Sequence, residues 1–333
     1  MKHQSPVPLA VLVLPDAFMS SVMGFVDTFS VPGSVLGQPR TFAAYTVAES
    51  TQVAVGPNRL PLQVDRVIDT AVPGIIVIPA LVIGDEDWVP GRYPRIVEWL
   101  RAMHERGCLL CSACSGSLLL AETGLLDGRI ATSHWALDQV FQRVFPQVEL
   151  RLDRAMVIDE DDGRVVMSGA AAAWHDLAMY LVARFAGPAT AGAVARFFMM
   201  QWHGGGQAPF RSFREELRHG DAAVLRAQSW LRSHWSSASP VEGMIQAAGL
   251  PGRSFARRFR KATGCSPIAY VQGVRIEHAK RALEESDEPV DEICRRCGYE
   301  DASFFRRLFK RATTLTPANY RRKFRPPEYV RHR

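Results

Sequence analysis

The chain has 333 residues, 47% hydrophobic and 22% charged, with six cysteines and a formal net charge of +6. That composition excludes a disordered chain, the length accommodates two domains, and no apolar run approaches the ~18 residues that a membrane-spanning helix requires. The charge is divided by position: residues 221–333 hold 22 Lys and Arg against 12 Asp and Glu, a net +10, whereas residues 1–220 hold 18 against 22, a net −4, so one part is suited to a polyanion and the other is not.

In chain order, the apolar stretch up to Leu14 reads as a buried first strand and not as a secretory leader, because it runs into Pro15-Asp16 with no small-residue cleavage site. Strand Leu9–Leu14 is followed by a helix over Met19–Phe29 and a strand over Thr41–Ala48. Gly74–Pro79 is a continuous apolar run of the kind a parallel strand buried on both faces displays. A helix over Tyr93–Arg106 ends at Gly107, the buried strand Cys108–Ala113 follows, and a helix over Ser115–Glu122 is stopped by Gly124. A short strand is expected over Arg129–Thr132. Met156–Asp159 and Arg164–Ser168 flank Glu160-Asp161-Asp162-Gly163, a hairpin signal, and a helix over Ala170–Phe185 closes an α/β layered domain. Gly204-Gly205-Gly206-Gln207-Ala208-Pro209 is read as the start of a linker, beyond which the pattern is helical. The six cysteines form no disulfide framework, so a reducing, cytoplasmic setting is expected.

Within residues 240–320 one helix–turn–helix unit is written twice. Pro240-Val241-Glu242 corresponds to Pro289-Val290-Asp291 and Gly249 to Gly298, 49 residues apart; Phe255, Arg257, Phe259, Pro267 and Tyr270 correspond to Phe305, Arg307, Phe309, Pro317 and Tyr320, 50 apart. Each copy predicts a helix ending at a glycine, a turn, and a second helix. In that second helix the phenylalanines, four apart, lie on one face. Arg253, Ala256, Arg257 and Arg260, at i, i+3, i+4 and i+7, lie on another, and Ser303, Arg306, Arg307 and Lys310 repeat the spacing. A helix with an aromatic back and a cationic front suits the major groove, where arginine pairs bidentately with guanine or binds phosphate. Two such helices joined by one connecting helix, Ile268–Glu285, are spaced for successive major grooves, roughly 34 Å apart.

The strand Cys108–Ala113 runs directly into Cys114-Ser115-Gly116-Ser117 and a helix, the arrangement of a nucleophile elbow. The helix N-terminus is expected to lower the thiol pKa, and His134 lies twenty residues on as a potential base. Cys108-x-x-Cys111-x-x-Cys114 has the look of a cluster-binding run, but strand alternation sends Cys108 and Cys111 to opposite faces and no fourth ligand is evident. Cys294-x-x-Cys297 lacks a second ligand pair and is read as packing thiols.

The segment Ala227–Phe324 resembles the AraC/XylS-type DNA-binding domain. The likeness is carried by Ser254-Phe255-Ala256-Arg257-Arg258-Phe259-Arg260-Lys261-Ala262-Thr263-Gly264-Cys265-Ser266-Pro267, Gly298-Tyr299-Glu300-Asp301 and Leu315-Thr316-Pro317-Ala318-Asn319-Tyr320-Arg321. Residues 8–200 resemble the PfpI/ThiJ-like class I glutamine-amidotransferase superfamily. There the matching text is Ala113-Cys114-Ser115-Gly116, Leu125-Leu126-Asp127-Gly128-Arg129, Ala131-Thr132-Ser133-His134-Trp135 and Ser168-Gly169-Ala170-Ala171-Ala172, with Gly204-Gly205-Gly206-Gln207-Ala208. Together the two halves are similar to GlxA-type regulators. The resemblance implies an α/β flavodoxin-like sandwich followed by an all-α domain with two helix-turn-helix units. The boundaries are 1–203 for the sensor domain, 204–221 for the linker, 222–325 for the DNA-binding domain and 326–333 for a tail.

Catalytic PfpI-like proteins place a glutamate after the first strand. Here that loop reads Phe18-Met19-Ser20-Ser21-Val22, and Asp16, the nearest acid, does not match the position. A base without its orienting acid is weakened. The expected function is therefore a sequence-specific, double-stranded-DNA-binding regulator, often an activator in this family, and not an enzyme. A small polar metabolite, such as an amino acid or a quaternary amine, is expected as effector in a retired enzyme pocket with Cys114, His134 and Trp135 as its candidate residues, and Trp174 and His175 nearby. No cofactor and no metal are expected; RNA polymerase and a second copy of the chain are the expected partners. A Cys-dependent amidase or hydrolase and a thiol redox sensor built on Cys114 are the alternatives.

Overall fold

The structure is a computed structural model that describes residues 5–84, 88–159, 161 and 163–331. The coordinates divide into two compact units, residues 1–207 and 208–333.

The first unit is built on a seven-stranded sheet. Strand β1 (Val7–Leu12) leads to α1 (Met19–Ser34) and β2 (Phe42–Ala48); β3 (Gln52–Val55) and β4 (Leu60–Gln63) form a separate antiparallel hairpin; β5 (Arg66–Val67) and β6 (Ile75–Ile78) return to the sheet. Helix α2 (Pro94–Glu105), β7 (Leu109–Ala113), α3 (Gly116–Glu122), β8 (Ile130–Ala131), α4 (Asp138–Val144) and β9 (Glu149–Leu150) follow. Then come β10 (Met156–Ile158), β11 (Val165–Ser168), α5 (Trp174–Ala186) and α6 (Pro188–Phe198). The sheet order is β10-β11-β7-β6-β1-β2-β5, parallel except for β10, which pairs antiparallel with β11. Glu160 and Asp162 of the expected hairpin turn lie outside the described residues.

The chain moves from β1 to β2 on one side and from β6 to β7 on the other. Right-handed crossovers therefore put α1 and α2 on opposite faces. Helices α1, α5 and α6 pack together, and α2 packs on α3. The β6 run Ile75–Ile78 is at most 1% exposed, as a strand covered on both faces must be.

Three details differ from the sequence reading. Helix α1 continues through Pro32 to Ser34; a proline in the last turn removes one hydrogen bond where few remain to be lost. The helix expected from Ala170 begins as α5 only at Trp174, after a 3₁₀ turn over Ala171–Ala173, and a further helix, α6, follows the break at Gly187 (φ 90°). The stretch expected as a linker over 204–221 is packed on each side of residue 208 into its own unit. Gly206 approaches the Asp153 carbonyl so closely that a Cβ would lie 2.0 Å from it, and Gln207 is 2% exposed. Residues beyond it pack within the second unit: Phe210 lies edge-on to Phe324 and Phe213 edge-on to Tyr270.

The second unit is helical: α7 (Ala222–His234), α8 (Pro240–Ala248), α9 (Gly252–Thr263), α10 (Pro267–Glu285), α11 (Val290–Arg296), α12 (Ala302–Thr313), α13 (Pro317–Phe324) and α14 (Glu328–Arg331). Side-chain oxygens of Asp221, Ser266, Asp301 and Thr316 cap α7, α10, α12 and α13. Its core has two clusters, one centred on Phe255 and Phe259 and one on Phe305 and Phe309, with Trp235 packed against both. Each buried phenylalanine contributes about 1.5–3 kcal/mol.

Candidate reader helices and candidate sensor pocket

Helix α8 ends at Gly249 in the left-handed region (φ 67°), and the chain turns within three residues into α9. Helix α11 ends just before Gly298 (φ 77°), and α12 follows. Gly298 admits no side chain: a Cβ there would lie 2.6 Å from both the Ser236 carbonyl and the Arg275 guanidinium. Arg275, on the connecting helix α10, is 6% exposed and binds no carboxylate among the described residues. It donates to the carbonyls of Trp235 (2.7 Å), Ser237 (2.7 Å) and Gly298 (3.1 Å) and lies over the Tyr299 ring. One side chain thus ties the loop before α8 to the turn before α12.

Phe255, Phe259, Phe305 and Phe309 are fully buried. Arg253, Ala256, Arg257 and Arg260 on α9, and Ser303, Arg306, Arg307 and Lys310 on α12, are all exposed. Lys261 and Arg311, not singled out from the sequence, extend the two exposed faces; they sit four residues beyond Arg257 and Arg307, a spacing that signals a shared face. Arg258 points elsewhere and forks onto Asp221 at 2.8 and 2.9 Å. This contact, with the helix-capping bonds to Val224 and Ala223, holds the Asp221 carboxyl below its usual range. Arg306 is ion-paired with Asp291. Cys294 and Cys297 are each 1% exposed, and the Cys294 thiol donates to the Tyr299 carbonyl at 3.4 Å.

In the first unit the elbow is present. Cys114 adopts a left-handed backbone (φ 54°), a conformation that costs an L-residue about 1–2 kcal/mol. It is fixed by four bonds: the Cys114 N–H donates to the Ser168 carbonyl (2.8 Å), and the Cys114 carbonyl accepts from the Ser117 N–H (3.3 Å) and from the Ser117 and Ser133 hydroxyls (2.8 and 3.3 Å). Gly116 makes the turn possible, since a Cβ would lie 2.5 Å from the Pro79 carbonyl.

The thiol does not behave as the helix dipole suggested. Cys114 is 4% exposed, and burial pushes its pKa up to about 11, outweighing the hydrogen bonds from Ser115 that act to lower it. The Ser133 hydroxyl is bonded to the elbow at the Cys114 carbonyl, and His134 is the next residue in the chain. His134 is half-buried, accepts the Ala136 N–H at 3.2 Å and packs 5.0 Å from Trp135, centroid to centroid.

Asp16 is engaged by Tyr93 and by Arg92 (3.0 Å), and Ser21 accepts the Ala80 N–H. Gln207 donates to Thr132 (3.3 Å), the Ser133 carbonyl (2.9 Å) and the Arg154 carbonyl (3.1 Å), so it is bonded to the same short segment that leads into His134. Its carboxamide lies over Gly169, where any Cβ would collide with it. Trp174 and His175 line a separate cleft of about 480 Å³ with Gly24, Asp27, Met200 and His203, and neither Cys114 nor His134 is part of that lining. His203 is held there by the buried Asp176 at 2.7 Å.

Comparison with known proteins matches residues 28–184 to the DJ-1/PfpI family and residues 244–323, from α8 through α13, to a helix-turn-helix domain. The HTH-type transcriptional regulator CdhR of Pseudomonas aeruginosa is 28% identical over 234 residues, 68% of this chain and 67% of that protein. The HTH-type transcriptional regulator GlxA of Rhizobium meliloti is 27% identical over 225 residues, 67% of this chain and 68% of that one. The HTH-type transcriptional regulator GbdR of Pseudomonas aeruginosa is 22% identical over 321 residues, 96% of this chain and 85% of that one. No helix among the described residues is long and apolar enough to cross a membrane. With an α/β domain of DJ-1/PfpI type followed by a duplicated helix-turn-helix, the chain is a DNA-binding transcriptional regulator similar to these HTH-type regulators.

Proposed function

We propose that the exposed faces of α9 and α12 read the operator, and that a small polar metabolite bound beside Cys114, His134 and Trp135 controls this reading. The observation that carries the first half is the repeated orientation: in both copies the paired phenylalanines are buried while Arg257 and Arg307 are exposed at equivalent positions. Support for a sensing role comes from an elbow whose thiol is buried and pushed up to about 11, and from Asp16, the acid nearest in sequence to the loop after the first strand, being occupied by Tyr93 and Arg92. The effector must bind the DNA-competent and DNA-incompetent forms unequally to shift their balance. Action on RNA polymerase, assembly as a homodimer and residence in the cytoplasm complete the proposal.

The test is titration of the full-length protein onto promoter duplexes at several salt concentrations, with and without a panel of amino acids and quaternary amines. Specific binding that weakens steeply with salt and shifts with one class of metabolite supports the reading. Binding indifferent to sequence overturns the reader half. Binding indifferent to every metabolite, with no thermal shift of the protein by any of them, overturns the sensor half.

A further inference from the structure

We infer that the two reader helices have unequal roles: α9 reads a guanine-rich half-site through Arg253, Arg257 and Arg260, while α12 acts chiefly as a phosphate anchor with Arg307 as its guanine reader. The inference rests on the assignment of these faces to DNA made above and gives that assignment a sequence content.

The two copies differ where it matters. Ala256 corresponds to Arg306, Arg253 to Ser303, Arg260 to Lys310 and Pro251 to Asp301. On α9 the cations Arg253, Arg257, Arg260 and Lys261 are exposed, and none of them makes an ion pair among the described residues. On α12 Arg306 is paired with Asp291 across the turn. Asp301 caps the same helix through the N–H groups of Ser303 and Phe304, and its carboxyl is held low by those bonds and by the charge of Arg307. In the first copy Glu242 stands where Asp291 does, but opposite it is Ala256, so no arginine is taken up.

Arginine presents a rigid two-pronged donor that matches the acceptor pair on guanine, whereas lysine is a point charge better suited to phosphate. At the four corresponding positions named above α9 therefore offers three unpaired arginines and α12 offers one, while at the next position of the face α9 has Lys261 and α12 has Arg311. Asp291 takes Arg306 away from the base edges, and Lys310 stands where α9 has Arg260, so α12 is left better placed for anchoring than for reading.

The experiment is selection of bound duplexes by the full-length protein from a library randomised over two helical turns, roughly 20 base pairs. It is repeated with Arg253→Ala, Arg257→Ala, Arg260→Ala, Arg307→Ala and Asp291→Asn. The wild type is expected to enrich one half-site with two or three fixed guanines and a second with one. Each α9 substitution should relax one guanine in the first half and weaken binding by about 5- to 150-fold. Asp291→Asn releases Arg306 without removing a cation, and should tighten binding and add a fixed position in the second half. A richer consensus in the half that Arg307→Ala relaxes, or a first half without guanines, overturns the inference. A library that returns no consensus at all removes the reader assignment itself.

Discussion

Arg275 donates a hydrogen bond to the Gly298 carbonyl at 3.1 Å, and so fastens the connecting helix to the turn that sets up the second reader. The same guanidinium holds Trp235 and Ser237, in the loop before the first helix-turn-helix. The spacing of the two readers therefore depends on one buried cation bonded to carbonyls. Replacing it with methionine leaves three carbonyls short of a donor, at about 1–3 kcal/mol for each that stays buried and unpaired. Arg275→Met should lower stability by at least about 2 kcal/mol in urea unfolding, and operators with two half-sites should lose more affinity than single half-sites. Unchanged stability would remove this role.

Gly298→Ala should be equally damaging. It combines a left-handed backbone with a Cβ 2.6 Å from a backbone oxygen. The opposite change is expected at Thr314, which holds a left-handed conformation (φ 61°) at the position corresponding to Gly264. Thr314→Gly relieves strain of about 1 kcal/mol and should raise the melting temperature. A lower one would mean that the Thr314 hydroxyl bond to the Thr313 carbonyl matters more than the strain.

Removing Arg257 and Arg307 together should abolish specific binding while leaving the circular dichroism spectrum intact. Both side chains are exposed and neither supports the core. The salt slope should fall by about 2 if each neutralises a phosphate, or stay level if both contact bases. Unaltered specific affinity would show that the readers lie elsewhere.

Burial pushes the Cys114 thiol up to about 11, so it is largely un-ionised at neutral pH. Alkylation of Cys114 should be slower than that of a free cysteine at neutral pH and should accelerate with pH up to about 11. Peroxide should not oxidise it ahead of the other five cysteines, as mass spectrometry can show. Rapid labelling at pH 7 would revive the redox and hydrolase alternatives.

Asp221 caps α7 and is forked by Arg258. Because its folded pKa is depressed, the stabilisation is present above the ordinary carboxylate value and is lost as pH falls through the folded one. Asp221→Ala should lower stability by about 1 kcal/mol at pH 7, with the gap narrowing as pH falls below the ordinary carboxylate value. A gap that stays constant as pH falls through that range would assign the effect to packing.

The reader helices were legible because their signals are local. Phenylalanines four apart fix the inner face, and Gly249 and Gly298 mark the helix ends. The parallel strands were legible from apolar runs such as Gly74–Pro79. Helix α6 was not, because Gly187-Pro188 reads as the end of an element as readily as the start of one. The thiol of Cys114 was misjudged because burial is a property of the folded environment and outweighs the hydrogen bonds from Ser115. Trp174 and His175 line a cleft of their own, since α5 starts four residues later than Ala170 and is bedded on Gly24 of α1. The pairing of Arg306 with Asp291 spans fifteen residues, beyond the reach of helical periodicity.

Gln207 is fastened beside His134, and Phe210 is packed on Phe324; only Ala208 and Pro209 intervene in the chain. Anyone building a chimera that exchanges the sensing half for another should therefore not cut this stretch at will, because each side of it is packed into its own unit. A splice near residue 221 discards the strap on which α10 and α13 lean, and one near residue 204 leaves Gly169 facing a hole where a carboxamide belongs. The seam for such engineering lies between Gln207 and Pro209.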